Sequence, residues 1–117
     1  MKKIYYLALF VTNILLAQNA EQANEKVDEG IELHDVGKYD EALSKYNEAL
    51  ILDKDNPFAL YEKSMTLEAL KKYDEAVETS KHILRLYPNG DNKTVYVTYG
   101  NALDHSGKPD LVFIFFF

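Results

Sequence analysis

The sequence predicts an all-α fold, a solenoid of about five antiparallel helices in stacked helix–turn–helix units, and three observations predict it. The pentapeptide KYDEA occurs at Lys38–Ala42 and again, 34 residues on, at Lys72–Ala76. Laid over itself at that interval, the chain also matches Leu33 with Leu67, Glu41 with Glu75, Leu50 with Leu84 and Leu52 with Leu86. Within a unit the apolar residues step by three and four, as at Ala42, Leu43, Tyr46, Ala49 and Leu50, which sets them along one face of a helix.

The first element differs in composition from the rest. Lys2 and Lys3 precede Ile4–Ala17, a run that is apolar except for Thr12 and Asn13, and polar sequence follows. That is the layout of a secretory signal, so residues 1–17 are expected to be a signal helix cleaved after Ala17, with Ala20 as the second candidate. Residues 18–23 then form a short linker. The run is shorter than the ~20 residues a spanning helix needs. Export to the periplasm or out of the cell is therefore expected, with retention as a membrane anchor the alternative.

The repeats are expected to fill residues 24–110, as 24–56, 57–90 and an incomplete 91–110. Each unit turns at Gly37–Lys38, Lys71–Lys72 or Gly107–Lys108, and the boundaries carry DKDNP at Asp53–Pro57 and YPNGDN at Tyr87–Asn92, which is helix-stop chemistry. Pro57 suits the first turn of a helix, where a missing N–H is harmless. Asp40, Glu41, Asp74 and Glu75 fall in the first turns of second helices, where negative charge suits the helix dipole. TVYVTY at Thr94–Tyr99 has strand propensity, but the repeat register makes it helix. The apolar ending, Leu111–Phe117, lacks the polar stripe of a capping helix, so the chain is expected to be truncated or diverged there.

These residues resemble the tetratricopeptide repeat family, whose units carry W-x2-L-G-x2-Y, then A-x3-F, then P. Gly30, Leu33, Gly37, Tyr39, Ala42, Tyr46 and Ala49 fit the first unit; Leu60, Ser64, Leu67, Tyr73, Ala76 and Pro88 fit the second; Tyr96, Tyr99, Gly100 and Leu103 open the third. Lys26, Glu29 and Lys63 depart from it, standing where the family has apolar residues, and suggest an exposed edge. In the second unit Ser80 and Ile83 replace Tyr46 and Ala49, an exchange of large and small that cores tolerate.

The resemblance implies a concave groove, built from each unit's first helix, that holds a peptide. By motif position the groove includes Asn24, Val27, Ile31 and His34, then Phe58, Tyr61, Met65 and Glu68, then Val97, Asn101 and Asp104. None of these is basic, so the family's carboxylate clamp is not expected; aromatic, Met and acidic groups suit an apolar peptide with basic flanks. Tyr61 and Met65 could equally pack between units.

Other chemistries find little support. The balance of 13 Lys and Arg against 19 Asp and Glu, a net charge of −6, argues against nucleic acid, which is bound by displacing counterions with basic residues. With no cysteine there is neither disulfide nor thiol lipidation. His34, His82 and His105 lack partners at metal spacing, DKDN is no calcium loop because Phe58 stands where glycine is required, and Asn92-Lys93-Thr94 reads as a chance glycosylation match. No catalytic residue, cofactor or metal is expected. The chain reads as an exported protein-binding scaffold, or alternatively as the recruitment region of a larger exported enzyme or a membrane-anchored envelope protein.

Overall fold

The computed structural model describes residues 2–108. Five helices follow one another: α1 Lys2–Asp35, α2 Tyr39–Leu52, α3 Pro57–Ala69, α4 Tyr73–Leu86 and α5 Lys93–His105, and no strand occurs among the described residues. The register thus overrides the strand propensity of Thr94–Tyr99, all of which lies in α5. The apolar ending read as truncated or diverged lies outside the described residues.

α1 packs on α2 and α3 on α4; α1, α3 and α5 also touch in succession, whereas α2 and α4 do not. Units also meet through α2 on α3 and α4 on α5, and α1, α3 and α5 lie side by side along one face, the inner one. Three apolar clusters hold it. Ala23, Val27, Ala42, Tyr46, Ala49 and Ala59 form the first. Leu67, Ala76, Val77, Tyr99, Ala102 and Leu103 form the second, and Leu60, Ile83 and Val95 join α3, α4 and α5. The small residues let helices approach closely: a Cβ on Gly30 would lie 2.9 Å from Cδ1 and Cζ of the buried Tyr46 ring and closer still to Cε1.

Each first helix ends in the same way. Lys38 N–H donates to Leu33 C=O and Gly37 N–H to His34 C=O, both at 2.9 Å; Lys72 and Lys71 repeat the pattern on Leu67 and Glu68, and Lys108 and Gly107 on Leu103 and Asp104. This is the Schellman closure, which needs one residue in the left-handed region. Gly37 and Gly107 supply it at φ 81°, and Lys71 at φ 62°.

α1 runs unbroken through residues 18–23, the short linker expected from the sequence; with no Pro or Gly before Gly30, nothing stops the helix. No helix among the described residues is long and apolar enough to cross a membrane. What the structure does show is an arm: every residue from 2 to 19 is exposed, and burial begins at Ala20 and Ala23.

The polar departures at Lys26 and Glu29 acquire a role as well. Lys45 of α2 meets Glu29 at 2.7 Å, Lys26 meets Glu29 at 3.6 Å, and both lysines reach Glu48 at 3.7 Å. The hydrogen bond from Lys45 holds the Glu29 carboxyl below its ordinary pKa and raises that of Lys45. An ion-pair network thus ties α1 to α2 on the exposed edge, where such pairs are individually weak.

Candidate functional site: the inner face of α1, α3 and α5

The helical period sets the inner face. On α1 it carries Val27 and Ile31, on α3 Phe58, Glu62, Met65 and Glu68, and on α5 Val97 and Asn101. Asn56 fixes the start of α3: its side chain accepts from Ala59 N–H at 3.0 Å, and Pro57 follows at the first helical position. The same side chain donates to Asn24 Oδ1 at 2.9 Å and to Asp53 Oδ2 at 3.1 Å, so α3 is aligned on α1 by its own cap. Farther along, His34 Nδ1 lies 2.7 Å from the hydroxyl of the buried Thr66.

Two depressions lie along this face. The first, about 220 Å³, sits between α1 and α3 and is lined by Asn24, Val27, Asp28, Ile31, Phe58 and Glu62. The second, about 490 Å³, sits between α3 and α5; His34, Met65, Glu68, Val97 and Thr98 are among its walls. A third of about 440 Å³ lies toward the repeat boundary, against Tyr61, Ile83, Tyr87 and Val95, with Phe58 and Glu62 shared.

The expected groove residues therefore separate. Val27, Ile31 and Phe58 gather in the first depression with Asn24, whose side-chain oxygen is occupied by Asn56. His34, Met65, Glu68 and Val97 gather in the second. Asn101 donates to Glu68 Oε1 at 3.1 Å, at the margin, and Asp104 is exposed and lines none of the three. Tyr61 packs against the Leu60, Ile83 and Val95 cluster, the inter-unit alternative weighed for it. Phe58 and Val97 are the bare apolar groups, 62% and 53% exposed.

Sequence reasoning missed Asp28 and Glu62. Both lie one position beyond a predicted groove residue, which was the available signal. Burial pushes the Glu62 carboxyl above the ordinary carboxylate range; nearby Asp35 adds to the rise and His34 opposes it. Neither Asp28 nor Glu62 is in an ion pair among the described residues, and no Lys or Arg lines any of the three depressions. The face thus sets apolar and acidic side chains together without Lys or Arg along the three depressions. No group of His, Asp or Glu that could hold a metal ion occurs among the described residues.

In comparisons with known proteins, the family model for the tetratricopeptide repeat matches residues 33–96. No curated protein matches the chain.

Proposed function

The chain belongs to the tetratricopeptide repeat family, and from that premise we propose that it is an exported scaffold holding another protein through the inner face of α1, α3 and α5. Units of this family act as protein-interaction scaffolds. The observation that carries the reading for this chain is the exposure of Phe58, and of Val97 near Met65, on a face whose depressions have acidic groups and no Lys or Arg. Such a face suits an apolar segment with basic flanks, and apolar anchors of this kind dominate the energetics of many interfaces.

Export is supported by the arm. Residues 2–19 are helical and exposed throughout, as an apolar leader that is recognised and removed would be. Full burial begins at Ala23, so a cut after Ala17 or Ala20 would leave the fully buried residues of α1 in place.

Photo-crosslinking tests the interface. A photoreactive residue at Met65 or Val97 should capture a discrete partner in the native host, while one at Glu78, exposed on α4, should not. Phe58→Ala with Met65→Ala should weaken that capture by about 1–3 kcal/mol with the helical circular dichroism kept. Equal capture from both faces would defeat the groove. Intact mass of the native protein should show a chain beginning at Gln18 or Glu21; a mass retaining Ile4–Ala17 would defeat export.

A further inference from the structure

The depression between α1 and α3 differs from its neighbours in size and lining. At about 220 Å³ it falls below the range of roughly 300–1,000 Å³ typical of small-molecule sites, and it suits one long side chain. Val27 and Ile31 form an apolar wall on α1, the exposed Phe58 stands on α3, and Asp28 and Glu62 complete the lining with Asn24. On the edge between α1 and α2, Glu29 and Glu48 are matched by Lys26 and Lys45. In the depression two acids face a cavity with no base. Glu62 is also half-buried without a hydrogen bond or ion pair among the described residues, an arrangement that works against folding until a cation arrives.

We propose that this depression is a subsite for an arginine side chain of the bound protein segment. The aliphatic stem lies on Val27 and Ile31, the guanidinium covers the Phe58 ring, and its N–H groups donate to Asp28 and Glu62. Arginine fits better than lysine because its planar, weakly hydrated cation stacks on an aromatic face while giving several directed hydrogen bonds. The inference rests on the inner face being the binding surface, and it adds which residue type enters at which place: arginine between α1 and α3, apolar residues between α3 and α5.

The test uses the isotope-labelled full chain and a series of acetylated, amidated peptides, Gly-Leu-Xaa-Ala-Leu-Gly, with Xaa as arginine, lysine, citrulline, norleucine or glutamate. Titrations are followed by NMR at the methyls of Val27, Ile31, Met65 and Val97. The arginine peptide is expected to shift Val27 and Ile31 and to saturate at about one-tenth the concentration of its neutral isostere citrulline, with lysine between them and glutamate weakest. Glu62→Gln should abolish most of that preference while leaving the norleucine peptide unchanged, and it should raise the urea midpoint of the free protein. A merely structural Glu62 would lower both. If citrulline or norleucine binds as well as arginine, or if shifts appear at Met65 and Val97 but not at Val27 and Ile31, the subsite is wrong and the groove stands. If no peptide of the series shifts any of the four methyls, the subsite and the groove fall together.

Discussion

The first and second repeats share the KYDEA phrase, the Schellman closure and the helix order, yet they solve the same packing problem with different residues. In the first, Gly30 lies beneath the ring of Tyr46, which is wholly buried. In the second, the equivalent positions are Ser64 and Ser80, both wholly buried. Where the chain must turn left-handed, the first repeat uses Gly37 and the second Lys71. The helix-to-helix distance is thus set by pairs of residues, one on each helix. A tyrosine is possible only opposite a residue with no side chain, and where serine replaces glycine the ring must be absent too.

The largest effects should come from breaking the Gly30–Tyr46 pair. Tyr46→Ala empties the centre of the first cluster and should lower stability by about 3–5 kcal/mol. Gly30→Ala forces a methyl into the ring and should lower it by about 1–3 kcal/mol. Gly30→Ser with Tyr46→Ser, which installs the second repeat's solution in the first, should lose less than Gly30→Ser alone and Tyr46→Ser alone summed, since the residues touch; these three and the parent form the cycle. Urea denaturation of the four proteins measures the coupling. Strict additivity would mean that the pair is not what sets the spacing.

A smaller effect, and of opposite sign in the two repeats, is expected at the left-handed position. A Cβ on Gly37 would meet nothing within 4 Å, so Gly37→Ala tests backbone conformation alone and should lower stability by about 1 kcal/mol. Lys71→Gly relieves the same strain and should raise it by a similar or smaller amount, about 0.5–1 kcal/mol, because glycine also enlarges the unfolded ensemble. Thermal midpoints suffice to read the signs.

Acid should separate the repeats further. Glu29, bonded to Lys45, has its carboxyl lowered from 4.5; its contribution is present above 4.5 and lost as pH falls through the lower folded value. Glu62 has its carboxyl raised from the same value by burial, so its contribution runs the other way: protonation relieves the unpaired charge, and the gain is full below 4.5 and lost as pH rises through the folded value. Compared with the parent chain, Glu29→Gln should therefore flatten the loss of stability on acidification and Glu62→Gln should steepen it. Urea midpoints between pH 3 and 7 check both directions.

How much of this was legible in the sequence depends on the kind of contact. Period and turn chemistry placed all five helices, including α5 against its own propensity, because amphipathic spacing and helix stops are local. The partner across a helix pair is not local. Lys26 and Glu29 stood out as polar departures, but the two lysine–glutamate partners on α2 that explain them lie across the hairpin. Tyr61 could not be separated from Met65 by motif position; only packing against Leu60, Ile83 and Val95 makes it part of the repeat boundary. Asn24 fell in the expected depression, yet its oxygen is occupied by the α3 cap. Lys71 sits where Gly37 and Gly107 sit in the other units, so its strain was available from the alignment to a reader asking what backbone that position needs.

The smallest predicted effect bears most directly on why the second repeat can do without tyrosine. Ser64 donates its hydroxyl to the Tyr61 carbonyl at 2.7 Å, satisfying itself within its own helix. The Ser80 hydroxyl is buried without a hydrogen-bond partner among the described residues, and an unmet hydroxyl carries a desolvation penalty of about 1–3 kcal/mol against a small loss of packing if it is removed. Ser80→Ala should thus be neutral or raise stability by up to about 1 kcal/mol, whereas Ser64→Ala should be neutral or slightly lower it. A fall of more than about 1 kcal/mol for Ser80→Ala would mean that the hydroxyl is bonded, for instance through a buried water. The second repeat would then hold its helices with a polar contact in place of the ring, and the two units would differ in the chemistry of their packing as well as its volume.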